Sequence, residues 1–278
     1  MDGLLIDSED WYTVCTNEIL AEYSKPPLPW NIKAQLQGRP GPEAGRIFHE
    51  WANLPISREE FMEKQSARQR KYFPNTKPLP GVEELLRTLA GTKGKEGKGL
   101  EMALATSSHR VNFGLKTKHL EGGLFHLFPQ DRRVLGDDPR IGPGRGKPAP
   151  DIWLVALETI NASLRAQNLP EVKPEECLVF EDSVPGVESG RRAGMQVVWC
   201  PHEGLRREYA GREGEVLAGL TGEHKEVEEK NEELGVVVEG GKDRRKGAPG
   251  QLGDGWGRLM GSLEGFPYGE YGIGVGGG

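Results

Sequence analysis

The sequence predicts an α/β protein: a Rossmann-like core, with a parallel sheet covered by helices on both faces and a small all-helical cap inserted after the first strand. Three observations predict it. Short apolar runs at Met102-Ala103-Leu104-Ala105, Cys177-Leu178-Val179-Phe180 and Gln196-Val197-Val198-Trp199 alternate with amphipathic, helix-length stretches. The segment from about residue 10 to 75 is helical throughout. Polar groups follow the apolar runs directly, where open α/β sheets place their sites.

Each element has its own signal. Gly3-Leu4-Leu5-Ile6 reads as a strand end running into a turn at Asp7-Ser8-Glu9. Tyr12, Cys15, Ile19 and Tyr23 recur at helical spacing until Pro26-Pro27-Leu28-Pro29 breaks the pattern. A second helix starts near Pro42 and aligns Ala44, Ile47, Phe48, Trp51 and Leu54. Ser57 with Glu60 caps a third, charged helix to about Tyr72. A fourth carries Val82, Leu85, Leu86 and Leu89 and stops at Gly91. Beyond the strand at 102–105, Val134-Leu135 ends a weaker one, and a helix runs from Asp151 to about Gln167. Pro185 opens a helix that Gly194 closes before the strand at Gln196. The boundaries that follow are 1–9 and 76–221 for the core and 10–75 for the cap.

Residues 222–278 read as a charged, glycine-rich tail of low order, since 17 of the 40 glycines fall in these 57 positions. Trp256, Leu259, Leu263, Phe266 and Tyr268 could still dock as a short terminal element. A net charge of -6 with interspersed signs gives no basic stripe, which argues against nucleic acid or an anionic membrane as partner. Cys15, Cys177 and Cys200 are odd in number without CxxC spacing, as in a reducing compartment. No apolar run approaches a membrane span, and Met1-Asp2-Gly3 lacks a basic leader. The expectation is a monomeric, cytoplasmic protein.

Asp2, Thr106, Lys147 and the pair Glu181-Asp182 stand at successive strand ends. Singly, each has an ordinary reading: a solvated terminus, a helix cap, a surface lysine before Pro148, a turn. Together they supply what phosphoryl transfer needs. A hydroxyl and an ammonium hold phosphate oxygens, and carboxylates bind the Mg²⁺ that offsets developing charge.

Met1-Asp2-Gly3-Leu4-Leu5-Ile6-Asp7-Ser8-Glu9, Ala103-Leu104-Ala105-Thr106-Ser107-Ser108, Val134-Leu135-Gly136-Asp137-Asp138-Pro139, Gly146-Lys147-Pro148-Ala149-Pro150-Asp151-Ile152 and Leu178-Val179-Phe180-Glu181-Asp182-Ser183-Val184-Pro185-Gly186-Val187 strongly resemble the haloacid dehalogenase-like hydrolases. Within them the likeness is to the pseudouridine-5'-phosphatase and sugar-phosphate phosphatase group, over roughly residues 1–220. The resemblance implies a Mg²⁺-dependent phosphatase of a small phosphorylated metabolite. Asp2 would be the general acid/base, with its backbone carbonyl on Mg²⁺. Thr106 would bind a phosphate oxygen and Lys147 would neutralise phosphate and nucleophile. Asp182, helped by Glu181, would complete the metal shell. Ser8 would sit at the cap hinge, Ser107 beside the substrate, and the Gly38-Arg39 loop would face the pocket. Arg39 could read a second polar group, or be an ordinary loop arginine.

The resemblance also shows a departure. The family's first motif reads Asp-x-Asp, and its first Asp forms the aspartyl-phosphate. Asp2 matches the second, so the nucleophile would stand immediately before Met1. The expectation is a start set at an internal methionine, leaving a chain without its nucleophile and most of its first strand. Loss of a covalent nucleophile costs on the order of 10⁴–10⁶ in rate. A sugar phosphomutase and a non-catalytic phosphometabolite-binding relative are the alternatives.

Other motifs carry less. Gly142-Pro143-Gly144-Arg145-Gly146-Lys147 resembles a phosphate loop, but Ile141 and Pro148 occupy positions that a P-loop gives to Gly and Ser/Thr. The six histidines lack metal-ligand spacing, no GxSxG elbow is present, and Asp137-Asp138 reads as a turn.

Overall fold

A computed structural model describes residues 1–39, 41–92, 99–222 and 249–274. Helix α1 (Ser8–Glu22), α2 (Trp30–Leu36), α3 (Gly41–Ala52) and α4 (Arg58–Tyr72) form the helical block, followed by α5 (Val82–Gly91). Then come β1 (Leu104–Ala105), α6 (Arg110–Thr117), β2 (Arg133–Val134), α7 (Asp151–Ala166), β3 (Leu178–Glu181), α8 (Val184–Arg192) and β4 (Gln196–Trp199). The chain closes with α9 (Glu203–Glu208), α10 (Glu213–Ala218) and β5 (Gly257–Leu259). None of the described helices is long and apolar enough to cross a membrane.

The helical block has its own small core, in which Ile19, Leu20, Phe48, Ala52 and Phe61 pack together. Ser57 caps α4 as its spacing predicts, its Oγ accepting the Glu60 amide at 3.1 Å. Helix α2, which the prolines at 26–29 hid, starts immediately after Pro29. It docks on α9: Trp30 stacks on His202 with ring centroids 4.5 Å apart, and a Cβ on Gly204 would collide with the indole. Two adjacent chain crossings join block and core. The Asp7 amide donates to the Lys77 carbonyl at 3.0 Å, and the Lys77 amide to Asp7 Oδ1 at 2.8 Å.

All strand pairs are parallel, in two ladders rather than the single expected sheet: β1–β2, and β3–β4–β5 in that order. Side chains alternate across the second ladder. Leu178, Phe180 and Val198 face a core with α5, while Val179, Val197 and Trp199 face α8. Residues 1–6 do not form the strand end expected of them. The amides of Leu4, Leu5 and Ile6 all turn back to the Met1 carbonyl at 3.3, 2.8 and 3.3 Å, and only isolated bridges remain at Asp2 and Ile6. Met1, Leu4, Leu5 and Ile6 are nevertheless buried.

The expectation of a low-order tail over 222–278 needs correction. Residues 249–274 return to the core: β5 pairs with the open edge of β4, and Leu263 and Phe266 are each only 3% exposed. Phe266 stacks on Tyr271 at 5.1 Å and leans on Phe180 at 5.2 Å. At Gly81 (φ +82°) a Cβ would strike the Glu264 amide nitrogen, so the returning chain lies directly on the start of α5. Composition averaged over the whole tail masked this, because its charged stretch, Glu223 to Lys246, lies outside the described residues. Phe266→Ala should cost about 3–5 kcal/mol in urea unfolding, while Leu252→Ala, at a 63% exposed position, should stay within about 0.5 kcal/mol. Equal, negligible effects would mean that residues 249–274 do not pack.

Candidate active site

The site is built where the first six residues meet the carboxyl ends of β1 and β3. Gly3 has φ +64°, and a Cβ there would collide with Asp182 Oδ2 and lie 2.7 Å from Cγ of Glu9. Only glycine lets the turn bring Asp2 against the Glu181-Asp182 corner. The Met1 amine sits in the same place, its charge felt by Glu181, Asp182, Lys147 and Asp2.

Asp2 is held from three sides. Its Oδ1 accepts from Ser8 Oγ at 2.5 Å and from Lys116 Nζ, and its Oδ2 accepts from Ser108 Oγ at 2.7 Å. Lys116 is fully buried; it also donates to Ser108 Oγ at 2.5 Å and to Tyr12 OH at 3.2 Å. Burial alone would raise the Asp2 carboxyl, but the Lys116 ammonium, with the Met1 amine and the Ser8 hydroxyl, reverses this and holds it below its ordinary 3.8. Thr106, buried at the end of β1, accepts the Ser108 amide at 3.2 Å and so fixes the turn that aims Ser108.

The second half of the site lies at the end of β3. Lys147 Nζ donates to Glu181 Oε1, and Glu181 Oε2 accepts the Asp182 amide at 2.7 Å. Burial works to raise Glu181, yet Lys147 holds it down. Among the described residues no lysine pairs with Asp182, and the Met1 amine is the cation that acts on it. Burial first, then the neighbouring Glu181 charge, push it well above the usual carboxylate range. The helical block closes over this corner. Gln37 Nε2 donates to Asp182 Oδ2 at 2.6 Å, and a Cβ on Gly38 (φ +78°) would collide with the Ser183 side chain.

Most of the residues expected from the sequence therefore converge: Asp2, Ser8, Thr106, Lys147, Glu181 and Asp182. Two differ. Ser107 is exposed, and Ser108 reaches Asp2 in its place, because successive side chains leaving a strand point opposite ways. Arg39 is buried, with Nη1 paired to Glu43 at 2.9 Å, while Gln37 donates to Asp182 and Gly38 packs on Ser183. Lys116 and Gln37 escaped the sequence reading. Lys116 looked like one of several helix lysines, although its spacing of three from buried Phe113 places it on the inner face of α6.

The expected Mg²⁺ shell of Asp2, Glu181 and Asp182 is only partly assembled. The Asp2 and Glu181 carboxylates face lysines, and the described residues contain no group of three or more ligating side chains that could hold a metal ion. What the site offers is Asp182, a hard oxygen donor crowded by Glu181 and Glu9. Mg²⁺ keeps several waters and takes one or two carboxylates, so this donor set suits it.

The family model for haloacid dehalogenase-like hydrolases matches residues 1–200. The chain belongs to that family. It is 47% identical over 202 residues to a probable pseudouridine-5'-phosphatase of Saccharomyces cerevisiae, covering 73% of this chain and 80% of that one. It is 38% identical over 223 residues to a mitochondrial (DL)-glycerol-3-phosphatase of Arabidopsis thaliana, covering 79% and 68%. The fold matches that of CbbY from Rhodobacter sphaeroides, solved in complex with phosphate, with a TM-score of 0.53 at 20% identity over 73% and 84% of the two chains. This haloacid dehalogenase-like chain is thus a phosphoric monoester hydrolase of the sugar-phosphate type.

The charge pattern at Asp2 makes a testable statement about stability. A depressed carboxyl contributes stability that is fully present above its ordinary 3.8 and lost as pH falls below it. Lys116→Met leaves that carboxylate buried without its cation, at a cost of about 3–5 kcal/mol at neutral pH in urea unfolding. The gap to the unaltered chain should begin to narrow above 3.8, where burial makes the Asp2 carboxyl protonate in the variant, and narrow further below 3.8 as the unaltered chain loses its ion pair. A gap independent of pH would place the loss in packing instead.

Proposed function

We propose that this hydrolase is a Mg²⁺-dependent phosphatase of a small phosphorylated metabolite, a nucleoside or sugar monophosphate, with Asp2 as its general acid/base. The observation that carries the reading is the convergence of Asp2, Lys147 and the Glu181-Asp182 pair about one point next to Thr106 and Ser108. Pseudouridine 5'-phosphate and glycerol 3-phosphate are the first substrates to try, given the names of the relatives.

The roles follow from chemistry. Lys147 and the hydroxyl of Thr106 bind phosphate oxygens and offset their charge. Asp2, ionised between Lys116, Ser8 and Ser108, is a base toward water. A phosphate dianion brought beside it raises its proton affinity, so it can also deliver a proton to the leaving oxygen. Ser8 and Ser108 hold the carboxylate in one orientation, which keeps that proton aimed. Asp182, with the Asp2 carbonyl, would hold Mg²⁺, which when bound supplies positive charge to the transferring phosphoryl group. The helical block above Asp182 excludes water and meets the leaving group.

The resemblance assigns the nucleophile to the position ahead of Met1, and phosphate release tests this. Residues 1–278 preceded by an apolar strand and Asp should hydrolyse the two substrates, at least about 10⁴ times faster than residues 1–278 alone. Within the extended chain, Asp2→Asn should lose on the order of 10²–10⁴ in turnover with Mg²⁺ present. Equal turnover of the two forms would assign the nucleophile to another residue, and full activity of Asp2→Asn would remove Asp2 from proton transfer.

A further inference from the structure

Glu9 is not needed by any of the steps above, yet its carboxyl group lies at the edge of the site. Its Cγ and Asp182 Oδ2 flank the same point above Gly3. The side chain is 15% exposed, at the seam between α1, α2 and the core. Lys33 forms an ion pair with it, while the same amine donates to the Glu9 backbone carbonyl at 3.0 Å and to Thr13 Oγ1 at 2.7 Å and lies 4.5 Å from the Trp30 ring centroid. From Glu9 Oε2 that amine is 3.6 Å away, beyond hydrogen-bond reach. The carboxylate therefore keeps acceptor capacity. A second acceptor points to the same conclusion. Gln37 is only 6% exposed and spends its amide nitrogen on Asp182, while its Oε1 is buried with no hydrogen-bond partner among the described residues. Such a group is costly to leave unpaired.

Two acceptors with spare capacity, the Lys33-paired Glu9 carboxylate and the unpartnered Gln37 Oε1, thus lie beside Asp182 on the side of the helical block, where a leaving group would lie. A phosphate brings no donors to match them, and a third carboxylate repels it. Alcohol hydroxyls do bring donors. We propose that Glu9, supported by Gln37 Oε1, is a specificity residue that accepts hydrogen bonds from hydroxyls of the leaving alcohol, so that the site selects polyhydroxylated phosphomonoesters over plain alkyl ones. The inference rests on the phosphatase reading and adds the residue that reads the alcohol part of the substrate.

The test needs binding rather than turnover, and non-hydrolysable ligands that differ only in their hydroxyls. Residues 1–278, with Mg²⁺, are titrated calorimetrically with 3,4-dihydroxybutylphosphonate, butylphosphonate and inorganic phosphate. The dihydroxy ligand should bind on the order of tenfold more tightly than the plain one, the size of one charge-assisted hydrogen bond. Glu9→Leu should bring that ratio to within about twofold without weakening inorganic phosphate. Glu9→Gln, which keeps a neutral acceptor and the side-chain volume, should fall between and serves if the Leu variant does not fold. A ratio unchanged in Glu9→Gln and Glu9→Leu overturns the inference, as does an unaltered chain with no preference. Equal loss for all three ligands also overturns it by assigning Glu9 to the phosphate shell. If inorganic phosphate itself fails to bind the unaltered chain, the phosphatase reading falls first and takes the inference with it.

Discussion

Charge compensation in a buried corner is the constraint on which the rest depends. Three carboxylates, Asp2, Glu181 and Asp182, are drawn into a few ångströms of space, and two lysines enter with them. Lys116 neutralises Asp2 and Lys147 neutralises Glu181. Asp182 is left over, pushed toward its neutral form by burial and by Glu181. The proposed divalent cation would meet Asp182 in this corner, and the proposed phosphate would meet Lys147. Removing either lysine would strand a buried charge, which costs more than the pair itself contributes.

The backbone serves that corner. Gly3 in the left-handed region allows the close approach of Asp2 to Asp182, the turn on the Met1 carbonyl holds residues 1–6 in place, and the paired crossings at Asp7 and Lys77 fix where the helical block leaves. From there, α2 is pinned on α9 through Trp30 and His202, so that Gln37 and Gly38 come down on Asp182 and Ser183. Asp2, Gln37, Ser108, Lys147 and Asp182 belong to separate parts of the sequence, and these contacts bring them together.

Much of this was legible before any coordinates. The strands at 178–181 and 196–199 and helices α3, α4, α5, α7 and α8 stand close to where apolar runs, caps and glycines put them. The site residues at strand ends came from residue type and order, and the pairing of Lys147 with Glu181 agrees with that order. What stayed hidden has physical reasons. Helix α2 has seven residues behind a proline run, too short for a periodic signal. Lys116 is a buried charge, and burial of a lysine depends on a partner 114 positions away. The choice between Ser107 and Ser108 depends on which way the chain turns after β1. The docking of residues 249–274 was half hidden: Trp256, Leu259, Leu263, Phe266 and Tyr268 marked a possible terminal element within a glycine-rich composition.

The central claim is that one pocket holds a phosphate and a divalent cation side by side. Phosphorus-31 relaxation of inorganic phosphate bound to residues 1–278, with Mn²⁺ in place of Mg²⁺, addresses it directly. The account predicts strong paramagnetic broadening of the bound phosphate signal that disappears in Asp182→Asn. Phosphate that binds with a sharp signal in the presence of bound Mn²⁺ would put anion and cation in different places and contradict it.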